Sequence, residues 1–170
     1  HQPRRQRQMC IRDSISGAHF NPFVSLAMFL RKKITGKLLI IYIPAQILGC
    51  LLGVMLANVF FEHNILELST KNRDGFHIFL SEIIATFGLI FIIFATLKDG
   101  KITIAASVAT YIMAGYWFTS STSFANPAVA IARTFTDSFT GINYMNTPTY
   151  ILAEFLGALI AVFLIKKLIK

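Results

Sequence analysis

The stretch Ser121-Thr122-Ser123-Phe124-Ala125-Asn126-Pro127-Ala128-Val129-Ala130-Ile131-Ala132-Arg133 decides how the chain is read. Ser16-Gly17-Ala18-His19-Phe20-Asn21-Pro22-Phe23-Val24-Ser25-Leu26-Ala27 echoes it 105 residues earlier (126 − 21). Each copy holds an Asn-Pro pair, a Val two residues after the Pro, and an apolar run of about two to three turns, too short to cross a bilayer alone. Asn is a favoured N-cap. Pro is a favoured first helical residue, because the N–H it lacks would have gone unpaired there. The spacing therefore predicts two half-helices, starting at Asn21 and Asn126. The plainer alternative, a surface turn at each Asn-Pro, fits poorly with the apolar neighbours of both.

Around these motifs the composition is that of an integral membrane protein. Hydrophobic residues make up 55% of the 170 residues and the mean hydropathy is positive, high for a soluble domain. The net charge of +8 does not mark a nucleic-acid surface, since the basic residues punctuate apolar segments and are not interleaved with aromatics on a polar face. Cys10 and Cys50 have no metal-ligand spacing, and Cys50 reads as a small buried hydrophobe. No nucleophile with a base, metal cluster or phosphate loop is visible, so neither an enzyme nor a bound cofactor is expected.

Residues 1–13 carry Arg4, Arg5, Arg7 and Arg12 without apolar periodicity or the apolar core of a targeting peptide. They read as a non-native leader. After the first half-helix a basic linker (Arg31, Lys32, Lys33, Lys37) leads to an uncharged run, Leu38 to Phe61, long enough to span. A polar loop, Glu62 to Gly75, precedes a second span, Phe76 to Leu97, with the single charge Glu82. The turn Lys98-Asp99-Gly100-Lys101 introduces a third span, Ile102 to Thr119. A polar connection, Thr134 to Thr147, then leads to the last span, Pro148 to Ile165. With alternating spans and re-entrant half-helices, Arg31, Lys32, Lys33, Lys37, Lys98, Lys101, Lys166, Lys167 and Lys170 fall on one side, and Lys71, Arg73 and Arg133 on the other. The first side is expected to be cytoplasmic, with the C-terminus.

A second echo supports duplication. Tyr42-Ile43-Pro44-Ala45-Gln46-Ile47-Leu48-Gly49-Cys50-Leu51 matches Tyr150-Ile151-Leu152-Ala153-Glu154-Phe155-Leu156-Gly157-Ala158-Leu159 at an offset of 108 (150 − 42). Residues 76–170 then read as a complete repeat of span, span, half-helix and span. Residues 14–75 read as a partial one, a half-helix and one span. The expectation is a fragment of a six-span protein whose first two transmembrane helices are missing, and upstream sequence would test it.

Half-helix N-termini meeting at mid-membrane are a device of channels and transporters built from repeats. The two motifs, Ser-Gly-Ala-His-Phe-Asn-Pro and Phe-Ala-Asn-Pro-Ala, resemble the major intrinsic protein family, the aquaporins and aquaglyceroporins, from about Ser14 to Lys170. The resemblance implies an all-α membrane protein, an inverted repeat with two re-entrant half-helices. It also implies a homotetramer in a bacterial inner (plasma) membrane with one pore per subunit, passing small neutral solutes. In that family the amides of Asn21 and Asn126 would cap the half-helices and donate to solute at the middle of the pore. Two positive helix ends there would repel cations and protons. The carbonyls of Gly17, Ala18, His19, Thr122, Ser123 and Phe124 would form the polar stripe of a greasy pore, irregular backbone at membrane depth being tolerated where it lines a wet cavity or is buried in protein. For His19 a loop-holding role and solute contact stay open.

Departures from the family pattern bear on selectivity. Water-passing members carry Arg directly after the second Asn-Pro-Ala and His twelve residues before that Asn, where this chain has Val129 and Ala114. Ser123 takes a third filter position, and the fourth lies on a missing helix. The resemblance thus implies a broad, uncharged filter, and the Asn-Pro-Ala-Val-x-Ile-Ala-Arg run is similar to a bacterial branch associated with arsenic resistance, which points to glycerol-like solutes and metalloid acids such as arsenite beside water. Arg133 is expected to pair with Asp137 at i,i+4, in preference to serving as a displaced filter Arg. Phe23, where the family has Ala, would either plug the pore or pack sideways, and conduction is the preferred reading.

Two acids lie within spans, which makes them functional hypotheses. Glu82 matches a family position that accepts hydrogen bonds from the half-helix loop, and Glu154 aligns with Gln46, suggesting one bracing task for both; a proton relay lacks a second group in register. Gly49, Gly53, Gly88 and Gly157 would allow close helix crossing, and Tyr116 and Trp117 would anchor at the interface, with filter lining the alternative for Tyr116. The leading reading is a passive channel. A coupled secondary transporter and a non-conducting truncated membrane protein are the competitors, separable by solute flux.

Overall fold

The computed structural model describes residues 17–168; the leader at 1–13, Cys10 and Lys170 lie outside the described residues. In chain order there follow α1 (Pro22–Leu30), α2 (Gly36–Phe60), α3 (Phe76–Ala95), α4 (Lys101–Phe118), α5 (Pro127–Ala132) with a 3-10 turn at Arg133–Phe135, and α6 (Thr147–Leu168). Among the described residues there is no strand.

Each half-helix starts where its cap dictates. The Asn21 Oδ1 accepts from the backbone N–H of Phe23 at 2.9 Å and of Val24 at 3.4 Å. The Asn126 Oδ1 accepts from Ala128 N–H at 3.1 Å, and a Pro follows each cap. α1 runs for 9 residues, but α5 keeps α geometry for only 6, shorter than expected, and tightens into the 3-10 turn at Arg133–Phe135.

α2, α3 and α6 are long and apolar enough to cross a membrane. α4, expected as another span, is a continuous helix of 18 residues, about 27 Å long at 1.5 Å per residue. It does not join that set, because Lys101, Thr103, Ser107 and Thr110 dilute its apolar character.

The tightest crossing is between α3 and α6. A side chain at Gly157 would meet the carbonyl of Ile83 and come within 3.0 Å of the Phe87 nitrogen. Small residues let the backbones touch, which is how helices associate in lipid, where tails compete for apolar contact. The crossing is filled by Ala85, Leu89, Ile93, Ala158, Ala161 and Ile165, which form one buried cluster with Val24 and Ala27 of α1. The other glycines behave differently from expectation. Gly49 and Gly53 have nothing within 4 Å, since α2 presents them to no other described element, and Gly88 accommodates the Tyr111 side chain and not a helix backbone. Trp117, on α4, is 91% exposed.

The Glu62 to Gly75 connection is pinned to the segment after α5. Ser69 N–H donates to Thr134 O at 2.9 Å and Asn143 N–H to Lys71 O at 2.8 Å. The Arg73 side chain donates to Gly141 O at 2.9 Å and Phe139 O at 2.7 Å. Asn58, buried near the end of α2, donates to Phe135 O at 2.9 Å. The ends of α2 and α5 are thereby held together.

Candidate pore at the meeting of the half-helices

Residues 17–20 and 122–125 must turn the chain abruptly into each half-helix, and they do so with the same unusual backbone. Gly17, Ala18 and Phe20 have φ of 71°, 52° and 48°; Thr122, Ser123 and Ala125, each 105 positions later, have φ of 65°, 49° and 47°. Left-handed conformations at non-glycine residues cost free energy and persist where surrounding structure enforces them. The duplication read from side chains is therefore repeated in the dihedrals.

The two caps then meet. Asn21 Nδ2 donates to Ala125 O at 2.7 Å, and Asn126 Nδ2 donates to Phe20 O at 2.8 Å. Each amide spends its oxygen on its own helix and one hydrogen on the carbonyl just before the other's cap. A primary amide has two N–H donors, so each keeps a second one. Asn21 is buried and Asn126 half-buried.

Two spans supply acceptors to the second loop. Glu82 accepts from Phe124 N–H at 2.9 Å through Oε1 and from Ala125 N–H at 2.8 Å through Oε2. Glu154 Oε1 accepts from Asn126 N–H at 3.0 Å. Three consecutive backbone donors, none able to bond within the helix, find carboxyl oxygens in a dry interior where leaving them unpaired would cost free energy. Both glutamates are fully buried. In the first loop the repeat is looser. Gln46 Nε2 donates to Ser25 Oγ at 2.9 Å, which also contacts His19 Nδ1 at 3.0 Å. Gln46 therefore reaches a side chain of α1, where Glu154 reaches backbone. The His19 ring lies edge-on to Tyr42, with centroids 5.7 Å apart.

Of the remaining filter candidates, Ser123 packs on Gly115, where an added side chain would stand 2.5 Å from its Oγ, beside exposed Ala114. Val129 packs on the cluster of Phe124, Ala130, Ile142 and Tyr150. No donor among the described residues reaches the carbonyls of Thr122, Ser123 or Phe124. Phe23 lies against Phe155 of α6, centroids 5.8 Å apart.

The expected Arg133–Asp137 pair is absent. Arg133 falls in the 3-10 turn and Thr136 is extended, so the α-helical spacing that would bring 133 and 137 together is lost. Asp137 instead accepts from Thr70 N–H at 2.8 Å and Thr70 Oγ1 at 3.0 Å, which holds its carboxyl below the usual value. Arg133 turns its guanidinium over the Phe124 ring, 4.2 Å from the centroid. Sequence spacing missed this contact.

Paired re-entrant half-helices capped by reciprocal Asn residues, set among apolar spans, define a membrane protein of the duplicated, pore-forming kind. The chain matches the major intrinsic protein family over residues 7–165, and it belongs to that family, a family of channels and not of enzymes. It is 44% identical to aquaglyceroporin AqpS of Rhizobium meliloti (strain 1021), over 92% of this chain and 67% of that protein. It is 30% identical to aquaporin-4 of Notomys alexis, over 86% of this chain and 47% of that protein, and 28% identical to probable aquaporin TIP3-2 of Arabidopsis thaliana, over 92% and 60%. The chain thus spans between about half and two thirds of the length of these relatives.

Proposed function

We propose that the protein works as a passive channel for small uncharged polar solutes, with the free N–H of Asn21 and of Asn126 as donors at its centre. The observation that carries this reading is the reciprocal bonding of the two caps. It sets two helix N-termini against each other, so their partial positive charges discourage cations and protons, while the unspent amide hydrogens offer a solute oxygen two donors. The carbonyls of Gly17, Ala18, His19, Thr122, Ser123 and Phe124 serve as the acceptor stripe. Ala114, Ser123 and Val129 leave a wide outer constriction that admits glycerol-sized solutes and extends to neutral metalloid acids. Glu82, Gln46 and Glu154 brace the two loops. Four copies assemble in a plasma membrane, C-termini on the cytoplasmic side, and the pore wall includes helices beyond those described.

The similarity to an aquaglyceroporin supports the solute class. The test is stopped-flow light scattering of proteoliposomes carrying the product of the full open reading frame, under sucrose, glycerol and urea gradients, with arsenite uptake alongside. Glycerol and urea entry faster than in protein-free vesicles, without saturation or dependence on a proton or sodium gradient, is the expected result. Water flux that excludes glycerol would overturn the wide constriction, and gradient dependence would favour a coupled transporter.

A further inference from the structure

Arg133 is a strongly basic group that the pore reading leaves unused, and its surroundings are unusual for a structural arginine. It lies four residues beyond Val129, so a helical rise carries both to the same face, Arg133 one turn further out. Side chains on a helix lean back toward its N-terminus. Consistent with that lean, the Arg133 guanidinium returns to the Phe124 ring, 4.2 Å from its centroid, within the range of a cation–π contact. Phe124 follows Ser123 directly in the chain, and Val129 packs on the buried cluster to which that ring belongs. The charge is therefore brought back along the chain toward Phe124, the residue after Ser123, and toward the cluster on which Val129 packs.

Among the described residues nothing claims this group in full. Nη1 of Arg133 is buried and has no hydrogen-bond partner among the described residues. Asp137, the acid that spacing would have offered, is engaged by Thr70 and Ser69. Arg73 makes an instructive contrast. It approaches the same ring at 5.8 Å, but its Nε and Nη2 are spent on the carbonyls of Gly141 and Phe139. One arginine is a clasp for the outer loops; the other is a planar fork with a dry, unspent donor.

We propose that Arg133 is a specificity-determining residue of the outer constriction. It restores from one turn away the fixed positive charge that Val129 does not provide, and it donates to the hydroxyl oxygens of neutral, hydroxyl-rich solutes. The inference rests on the channel reading and amends it in one respect: the constriction is wide but charged. Its consequence is that small cations are turned away there as well as at the Asn pair, and that solutes rich in hydroxyl groups are favoured over flat amides such as urea.

The experiment compares wild type, Arg133→Met and Arg133→Lys in proteoliposomes, reading glycerol and urea entry and methylammonium uptake at neutral pH. Met keeps the length of the stem and the contact with the ring while removing charge and donors. Methylammonium uptake in Arg133→Met should rise on the order of tenfold, and the glycerol-to-urea ratio should fall about threefold, as a charged donor is lost from a dry constriction. Lys should keep methylammonium out, since it retains the charge, yet lower the same ratio because the planar fork is gone. Unchanged cation exclusion and an unchanged ratio in Arg133→Met would overturn the proposal. If that variant does not fold, an unchanged ratio in Arg133→Lys does so. Absence of glycerol flux in wild type would instead remove the channel reading itself.

Discussion

At the residue scale, the site depends on side chains that do two things at once. Asn21 caps α1 through Oδ1 and grips Ala125 O through Nδ2. Asn21→Asp keeps the cap and loses the donor, whereas Asn21→Ala loses both. Thermal unfolding in detergent should therefore rank wild type above Asp and Asp above Ala, with the cap alone worth about 1 kcal/mol, while glycerol flux falls in both variants. Equal stability of Asp and Ala would contradict the assignment. Glu82 gives a sharper contrast. Glu82→Gln retains an acceptor for one of the two loop N–H groups, but Glu82→Ala orphans both, at about 1–3 kcal/mol each, so the yield of folded protein should drop far more in Ala. The Asn caps and Glu82 were legible in the sequence because capping and the need for buried acceptors are local, chemical requirements. The seat of Arg133 was not, since it depends on α5 giving way to a 3-10 turn, which no pattern of apolar residues encodes.

At the scale of elements, spans and half-helices could be placed to within a few residues from charge-free runs and Asn-Pro starts. Which faces of them pack could not. Gly157 and Gly49 occupy matching positions in the repeat, yet only Gly157 lies against another backbone; a glycine permits a close crossing and does not reveal whether a partner is there. Gly157→Leu must push on the Ile83 carbonyl, which cannot rotate away as a side chain would. It should destabilise the α3–α6 pair by about 1–3 kcal/mol, seen as a lower unfolding temperature. Gly49→Ala, which meets open space, should leave that temperature unchanged or raise it slightly, alanine being the better helix former. A drop for Gly49→Ala of similar size would show α2 to be packed at this position.

At the scale of the whole molecule, the loops at one end tie the two repeats together as the Asn pair does at the centre. Asp137 is one of these ties, its carboxyl held below the ordinary value of 3.8 chiefly by the Thr70 backbone N–H. A group whose value is depressed by folding stabilises the fold above its ordinary value and loses that contribution as pH falls through the folded one. The gap in unfolding temperature between wild type and Asp137→Ala should accordingly be full at about pH 6 and close as pH drops below about 3.8. A gap that persists in acid would assign the stabilisation to something other than the carboxylate. The most direct test of the account as a whole is glycerol entry into proteoliposomes, measured side by side for the wild-type protein and for Asn126→Asp. Rapid, non-saturating entry that slows when the amide donor is removed is the result expected of two capped half-helices meeting across a pore. Wild-type entry no faster than in empty vesicles would contradict it.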